Sequence, residues 1–150
     1  METTFQVNEV KLSLKRAFSI NQKQIKSASD ARKVLLLTEE LKNCIDYKEY
    51  FFVIYLDRAG NVLSYQKVSE GGLSSTVVDI RFIMQGAILQ NASGVITAHN
   101  HPSGNTIPSH EDIQISKKIG SACDFFNLSF VDNLIITRDN YYSFSEEGII

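Results

Sequence analysis

The sequence predicts one α/β or α+β domain in which helices cover a mixed β-sheet. Segments with apolar residues at helical spacing alternate along the chain with short apolar or alternating segments typical of strands. The 150 residues, 43% of them hydrophobic, are enough for a single domain with a sizeable core. The longest uninterrupted apolar run, residues 50–56, is far too short to cross a bilayer.

The first third of the chain predicts a strand and then a helix. Residues 5–7 and 10–14 alternate between apolar and polar side chains, which is typical of a strand. Ser27, followed by Asp30, predicts a helix start. The apolar stripe expected behind it consists of Val34, Leu37 and Leu41.

A hairpin, a second helix and the central strand follow. Residues 50–56 and 62–68 predict two strands joined by the turn at 57–61. We expect Ser75 to cap a helix, and residues 94–98 to form a buried strand. The residues predicted to face inward from that helix are Val77, Ile80, Met84, Ala87 and Ile88.

The last third predicts a helix opened by Ser109 and three short strands at 128–131, 134–137 and 141–144. The predicted inner side of this helix carries Ile115, Ile119, Ala122 and Phe126.

Two linked motifs indicate a metal site. Residues 99–104 read H-N-H-P-S-G, and S-x-x-D follows at 109–112. Residues two apart on a strand share a face, so His99 and His101 can bind one ion, and Asp112 in the first helical turn can swing back to it. Two imidazoles and a carboxylate suit one zinc ion per chain and leave a fourth position open, as in hydrolytic zinc sites.

Each motif also has a simpler interpretation. S-x-x-D is a helix capping box, and two histidines at a strand end can simply be hydrogen-bonded. The combination of both halves favours the metal, and a helix N-terminus favours the ionised Asp112 that a cation needs. We expect Ser103 to shape the turn and His110 to be exposed rather than a ligand.

Composition and cysteine content indicate which binding partners and which cellular compartment to expect. Cys44 and Cys123 are isolated and predict reduced thiols, and the first residues lack the features of a signal peptide, so we expect a cytoplasmic protein without membrane association. A net charge of −2 predicts weak nucleic-acid binding.

The pattern H-x-H-P-S-G followed by P-S-x-x-D resembles the JAMM (MPN-plus) metalloprotease signature, and more narrowly the bacterial RadC family. The resemblance runs from about Lys48 to the C-terminus and includes D-x-R at 79–81 and V-D-x-L-I at 131–135. It implies a JAMM/MPN-like, cytidine-deaminase-like sandwich. Within one domain, 1–150, we expect an N-terminal strand and helix at about 5–45 and a motif-bearing core at about 48–150, without the helix-hairpin-helix region of longer members. Asn133 stands where RadC chains often have histidine.

The resemblance implies zinc-dependent hydrolysis of an amide, peptide or isopeptide bond in a peptide or protein substrate. Spacing alone leaves Glu49 and Glu70 open as the general base. Residues 49–56 resemble the JAMM pattern E-x-F-x-x-x-L, with the leucine one position later, which favours Glu49. The family assigns the motif serine, here Ser109, to hydrogen-bonding the oxyanion.

Three other functions compete with this one. Cytidine-deaminase chemistry needs H-x-E and P-C-x-x-C, which the chain lacks. Phosphodiester hydrolysis usually needs a second metal or a basic clamp, and neither is evident. A metal-stabilised module for DNA repair or protein binding, without peptidase activity, stays open as the alternative.

Overall fold

The computed structural model describes residues 1, 3–71 and 77–150, and these contain four helices and five strands. In chain order they are α1 (Ala28–Leu35), α2 (Glu39–Cys44), β1 (Glu49–Leu56), β2 (Val62–Gly71), α3 (Ile80–Leu89), β3 (Gly94–Asn100), α4 (His110–Phe125), β4 (Ser129–Ile136) and β5 (Tyr141–Ser143).

The strands form one mixed sheet in the order β2-β1-β3-β4-β5, in which β3 and β4 are parallel and the other pairs antiparallel. Helices α1 and α2 pack on one face against Tyr50 and Phe52, while α3 and α4 pack on the other against Phe51 and Val53. The predicted class, an α/β fold with a mixed sheet covered by helices, is confirmed. Within the described ranges, no helix has both the length and the apolar character that crossing a membrane requires.

Strand β1 is buried on both faces, which explains its continuous apolar run. The predicted hairpin to β2 is present, and its turn is fixed by Asp57, whose Oδ1 accepts hydrogen bonds from the amides of Ala59 and Asn61 at 2.9 Å each. Gly60 has a φ of +80°, in the left-handed region that glycine adopts without strain.

The predicted N-terminal strand is wrong. Residues 3–21 lie in no helix or strand, and Phe5, Val7 and Val10 are largely exposed. The start of β2 is instead covered by the residues that come after this N-terminal segment: the amide of Val62 donates to the carbonyl of Lys23 at 2.9 Å. Alternation describes how a segment would sit on a sheet, but a strand also needs a partner edge.

The helix predicted after Ser27 is divided in two. Ser27 caps α1 as expected, accepting a hydrogen bond from the amide of Asp30. Thr38 then begins α2: its hydroxyl donates to the carbonyl of Leu35 at 2.7 Å and accepts from the amide of Leu41. Because of this break Leu37 is 38% exposed, whereas the other two stripe residues, Val34 and Leu41, are buried.

The other helices begin near their predicted positions. Ser75 lies outside the described residues; α3 is capped by Asp79, whose side chain accepts from the amide of Arg81. Of its five predicted inward residues, Met84 and Ala87 are buried and Ile80 is half-buried, whereas Val77 and Ile88 are exposed. On α4, Ile119 is buried and Ile115 and Ala122 are half-buried, but Phe126 is 44% exposed.

At the C-terminal end the predicted strands 128–131 and 134–137 form the single strand β4, and β5 ends at Ser143. Both cysteines are free thiols; Cys123 is buried and Cys44 half-buried.

Candidate metal centre

The C-terminal end of β3 and the first turn of α4 meet at the two linked motifs. His99 lies within β3, and His101 directly follows it, its amide donating to the carbonyl of Ile136 on β4 at 3.0 Å. This bond keeps the chain extended through residue 101, so the two histidine side chains share the face covered by α4.

Three potential ligand atoms converge there. His99 Nε2 lies 3.0 Å from His101 Nε2 and 3.1 Å from Asp112 Oδ1, and His101 Nε2 lies 3.5 Å from Asp112 Oδ2. One donor atom from each residue can be chosen so that all three lie within 4.8 Å of one another. The sequence predicted this grouping, and the fold brings the three residues together.

Asp112 takes part in a complete capping box as well. Its Oδ2 accepts a hydrogen bond from the Ser109 amide at 2.7 Å, and its own amide donates to Ser109 Oγ at 3.1 Å. Burial works to raise the pKa of Asp112, but hydrogen bonds from His101 and His99 outweigh it and hold that pKa well below its ordinary value. The carboxylate is therefore ionised, as a metal ligand must be.

The ring of His101 is oriented by a backbone carbonyl. His101 Nδ1 lies 2.7 Å from the carbonyl oxygen of Asn105, which can only accept, so Nδ1 carries a proton and the ring is turned with Nε2 towards the triad, where it can bind an ion once it carries no proton of its own. The hydrogen bond to Asp112 raises the pKa of His101, and the negative charge of Glu49 adds to the same effect. Sequence reasoning missed Asn105, because a backbone carbonyl leaves no mark in a residue pattern.

His99 is held by packing. It is 2% exposed, and its ring stacks on that of Phe51 with 6.0 Å between centroids and 7° between planes. Within the part of the chain that the structure describes, its Nδ1 has no hydrogen-bond partner, so ring stacking takes the orienting role that a carbonyl has for His101.

The triad fits a zinc ion in both chemistry and spacing. Imidazole nitrogens and a carboxylate oxygen are zinc ligands at about 2.0–2.2 Å, which puts neighbouring ligands of a tetrahedral ion about 3.3–3.5 Å apart. The two Nε2 atoms lie 3.0 Å apart, close to this edge length, and each lies 3.1 or 3.5 Å from a different oxygen of Asp112. With one ligand atom from each residue, the three atoms lie within 4.8 Å of one another. Three protein ligands would leave one position of a tetrahedral ion open, as in catalytic rather than structural sites.

Glu49 lies beside this centre. Phe51 pairs with His99 across β1 and β3, so Glu49, two residues earlier, is on the same face and at the level of His101. A cavity of about 540 Å³ is lined by Glu49, His101 and Ser109 together. The Oγ of Ser109 accepts the capping bond from Asp112, and its proton is still able to donate towards this cavity.

Glu70, the other candidate base, lies on the opposite face. It pairs with Tyr50 across β1 and β2, and Tyr50 packs under α1 and α2. Its carboxylate forms ion pairs with Lys48 at 3.2 Å and Lys67 at 3.0 Å, and these lysines lower its pKa. This position separates it from the triad.

The remaining motif residues stay outside the triad. His110 is exposed at the first position of α4, and Ser103 Oγ accepts from the amide of Asn105 at 3.3 Å, shaping the turn as predicted. The cavity rim carries two exposed apolar side chains, Tyr47 and Ile107.

Comparison with known proteins places the chain in a family. Residues 25–149 match the family model described as "RadC-like JAB domain". Similar curated proteins include the "UPF0758 protein" of Flavobacterium johnsoniae, 43% identical over 101 residues that cover 67% of this chain and 44% of the relative. The one of Syntrophomonas wolfei is 37% identical over 128 residues, 84% of this chain and 54% of the relative. The chain thus spans about half the length of these relatives.

Proposed function

This chain belongs to the RadC-like JAB domain family, which includes metalloproteases, and we propose that it is a zinc-dependent hydrolase that cleaves a peptide or isopeptide bond. One observation carries the proposal: three zinc-type ligand atoms converge beside a cavity that is also lined by a carboxylate, Glu49, and a hydroxyl, Ser109. These are the parts that hydrolysis of an amide requires.

Each residue has a role in this proposal. His99, His101 and Asp112 would hold the ion, which when bound would supply Lewis acidity and make a water acidic enough to attack at neutral pH. Glu49 accepts the proton of the attacking water and passes it to the leaving nitrogen. Ser109 donates a hydrogen bond to the carbonyl oxygen as negative charge develops on it.

The cavity favours an amide over a phosphodiester. No lysine or arginine is among the described residues that line it, and the triad is the one metal-ligating cluster found in the described ranges. Phosphodiester cleavage usually depends on a second ion or on basic side chains around the phosphate. We therefore propose a peptide or protein substrate and weak binding to nucleic acid.

The alternative is a metal-stabilised module that acts through DNA or protein partners. The observation in its favour is that the triad joins the end of β3 to the first turn of α4, so a bound ion would also brace the fold. The two proposals differ in what Glu49 does, since a stabilising ion has no need of a base.

Metal content tests the centre. The purified chain should hold about one zinc ion, because three converging ligands define one site. Elemental analysis of wild type, His101→Ala and His110→Ala should show zinc lost only from the first variant, since His110 is exposed and outside the triad. Equal zinc in wild type and His101→Ala would remove the assignment.

Cleavage tests the function. The zinc-loaded chain should cut members of a peptide library, and Glu49→Gln should keep zinc while losing about 10²–10⁴-fold in rate, because glutamine cannot accept the proton. Glu70→Gln is the matched control and should stay near wild type, since Glu70 lies on the other face of the sheet. Full activity in Glu49→Gln would contradict the mechanism, and zinc retention without cleavage in every protein would favour the stabilised module.

A further inference from the structure

Asn100 stands between the two histidines, yet its side chain points to the other face of β3. It is 1% exposed. Its Oδ1 accepts from the amide of Tyr50 at 2.8 Å, and its Nδ2 donates to the carbonyls of Ile45 at 2.9 Å and Lys48 at 2.8 Å. Both N–H groups and the carbonyl of the amide are thus engaged by the segment that leads into β1.

This segment carries Glu49. Strand β1 pairs with β3 from Phe51 onward. At the preceding residue, Tyr50, the backbone amide donates to the side chain of Asn100 instead of to the backbone of β3. Glu49 therefore lies between two residues, Lys48 and Tyr50, whose backbones are both bonded to Asn100. On the β2 side Glu49 pairs with Gly71.

We infer that Asn100 is a positioning residue for Glu49. By holding the backbone on both sides of Glu49, it keeps the Glu49 carboxylate turned to the cavity beside His101. The two histidines that flank Asn100 belong to the triad on the opposite face of β3. The inference rests on the proposed role of Glu49 as the base. Proton transfer requires the base to be within hydrogen-bond reach of its proton, and a displacement of about 1 Å can cost about 10²-fold in rate.

The contacts explain why an asparagine is needed. Aspartate has the same shape but would set an oxygen against the carbonyls of Ile45 and Lys48, where two donors are required. Serine is neutral but too short to reach all three partners. Asn100→Asp is therefore the sharp test, and Asn100→Ser is a milder one if the first variant fails to fold.

Asn133→Asp is the matched control. Asn133 is also fully buried, on the next strand, but its Oδ1 accepts from Thr97 Oγ1 at 2.8 Å and it makes no hydrogen bond to residues 45–50. An aspartate at position 133 still has an oxygen that can accept the hydrogen bond from Thr97 Oγ1. A general effect of a buried charge would appear in both variants, whereas release of Glu49 would appear only at position 100.

Three measurements on the folded chain test the inference. Amide exchange at Tyr50 should rise about tenfold or more in Asn100→Asp, because the amide loses its anchored partner, and stay unchanged in Asn133→Asp. With Co²⁺ as the probe, the visible spectrum of Asn100→Asp should reproduce the change caused by Glu49→Gln while metal content stays at wild-type level. Asn100→Asp should lower kcat about 10²-fold with KM unchanged, and it should add nothing in the Glu49→Gln background.

The outcomes separate the two proposals. If Glu49→Gln alters the spectrum and the rate but Asn100→Asp leaves both at wild type, or if the two losses multiply, Asn100 is not acting through Glu49 and the inference is overturned alone. If Glu49→Gln itself alters neither spectrum nor rate, the role of Glu49 fails and the inference fails with it.

Discussion

The aspartate of the V-D-x-L-I segment, Asp132, has a structural role that a substitution series can measure. It is 6% exposed, and its carboxylate accepts three hydrogen bonds: from Ser143 Oγ at 2.6 Å, from the Asn133 amide at 2.8 Å and from the Ser145 amide at 3.0 Å. These bonds fix the turn after β5 to the inner strand β4. Asp132 is therefore expected to contribute to folding rather than to chemistry.

The magnitude follows from the three donors. In Asp132→Ala each would lose its partner, at about 1–3 kcal/mol for a buried donor, and removal of a buried charge would offset part of this, so we expect about 3 kcal/mol of lost stability. In Asp132→Asn, Oδ1 can still accept from both amides and Nδ2 can donate to Ser143 Oγ. That variant should stay within about 1 kcal/mol of wild type at pH 7.

The pH dependence gives an independent check. Burial raises the pKa of Asp132, against the opposing hydrogen bonds from Ser143 and Ser145. Because the folded pKa lies above the unfolded one, the folded state binds more protons in the window between them, and stability falls as pH rises through it. The side chain introduced by Asp132→Asn does not titrate, so the advantage of wild type over this variant should shrink as the pH rises above the ordinary pKa of aspartate.

Urea unfolding at several pH values measures both effects. The reasoning is refuted if Asp132→Ala costs less than about 1 kcal/mol, which would mean that the three donors find other partners. It is also refuted if the advantage of wild type over Asp132→Asn grows with pH. That result would mean that the pKa of Asp132 is lowered, because its hydrogen-bond donors stabilise the carboxylate more than burial destabilises it.

Two further predictions concern packing and partners. Gly86→Ala should destabilise the chain by about 1–3 kcal/mol in urea unfolding, despite the better helix propensity of alanine, because a Cβ there would lie 2.2 Å from the hydroxyl of Tyr55. Gly120→Ala on α4, where the nearest atom would be 3.5 Å away, is the control and should cost nothing; a neutral Gly86→Ala would contradict the close packing inferred at this contact. Binding to random duplex DNA should be weak at physiological salt, given the net charge of −2. Sub-micromolar affinity that survives raised salt would instead support the DNA-associated alternative.

The grouping of the three candidate metal ligands could be predicted because its geometry is local. His99, His101 and Asp112 lie within one strand end, one turn and one helix start, so strand periodicity and helix capping bring them together without knowledge of the rest of the fold. Asn100 shows the limit of this reasoning. Its partners at 45–50 are about fifty residues away in the chain, and the strand pattern indicates only that its side chain points away from the histidines.

The choice between Glu49 and Glu70 depends on register, which the sequence does not contain. The pairing of β1 with β2 shifts twice, between Tyr55 and Leu56 and again between Phe51 and Phe52, and the resulting register sets Tyr50 opposite Glu70. Because a slip of one residue reverses the face, the loss of either shift would place Glu70 opposite Glu49, on the cavity side. No turn motif or apolar pattern encodes both irregularities.

The two interpretations of S-x-x-D, cap and metal ligand, are compatible in the folded chain. The capping bonds with Ser109 orient the carboxylate of Asp112 so that Oδ1 lies beside His99 and Oδ2 beside His101. The carbonyl of Asn105 has already turned the second imidazole so that Nε2 faces the triad. An ion bound there would replace protons on the two imidazoles and would require little movement of the backbone, because the helix cap already places the Asp112 carboxylate beside both rings.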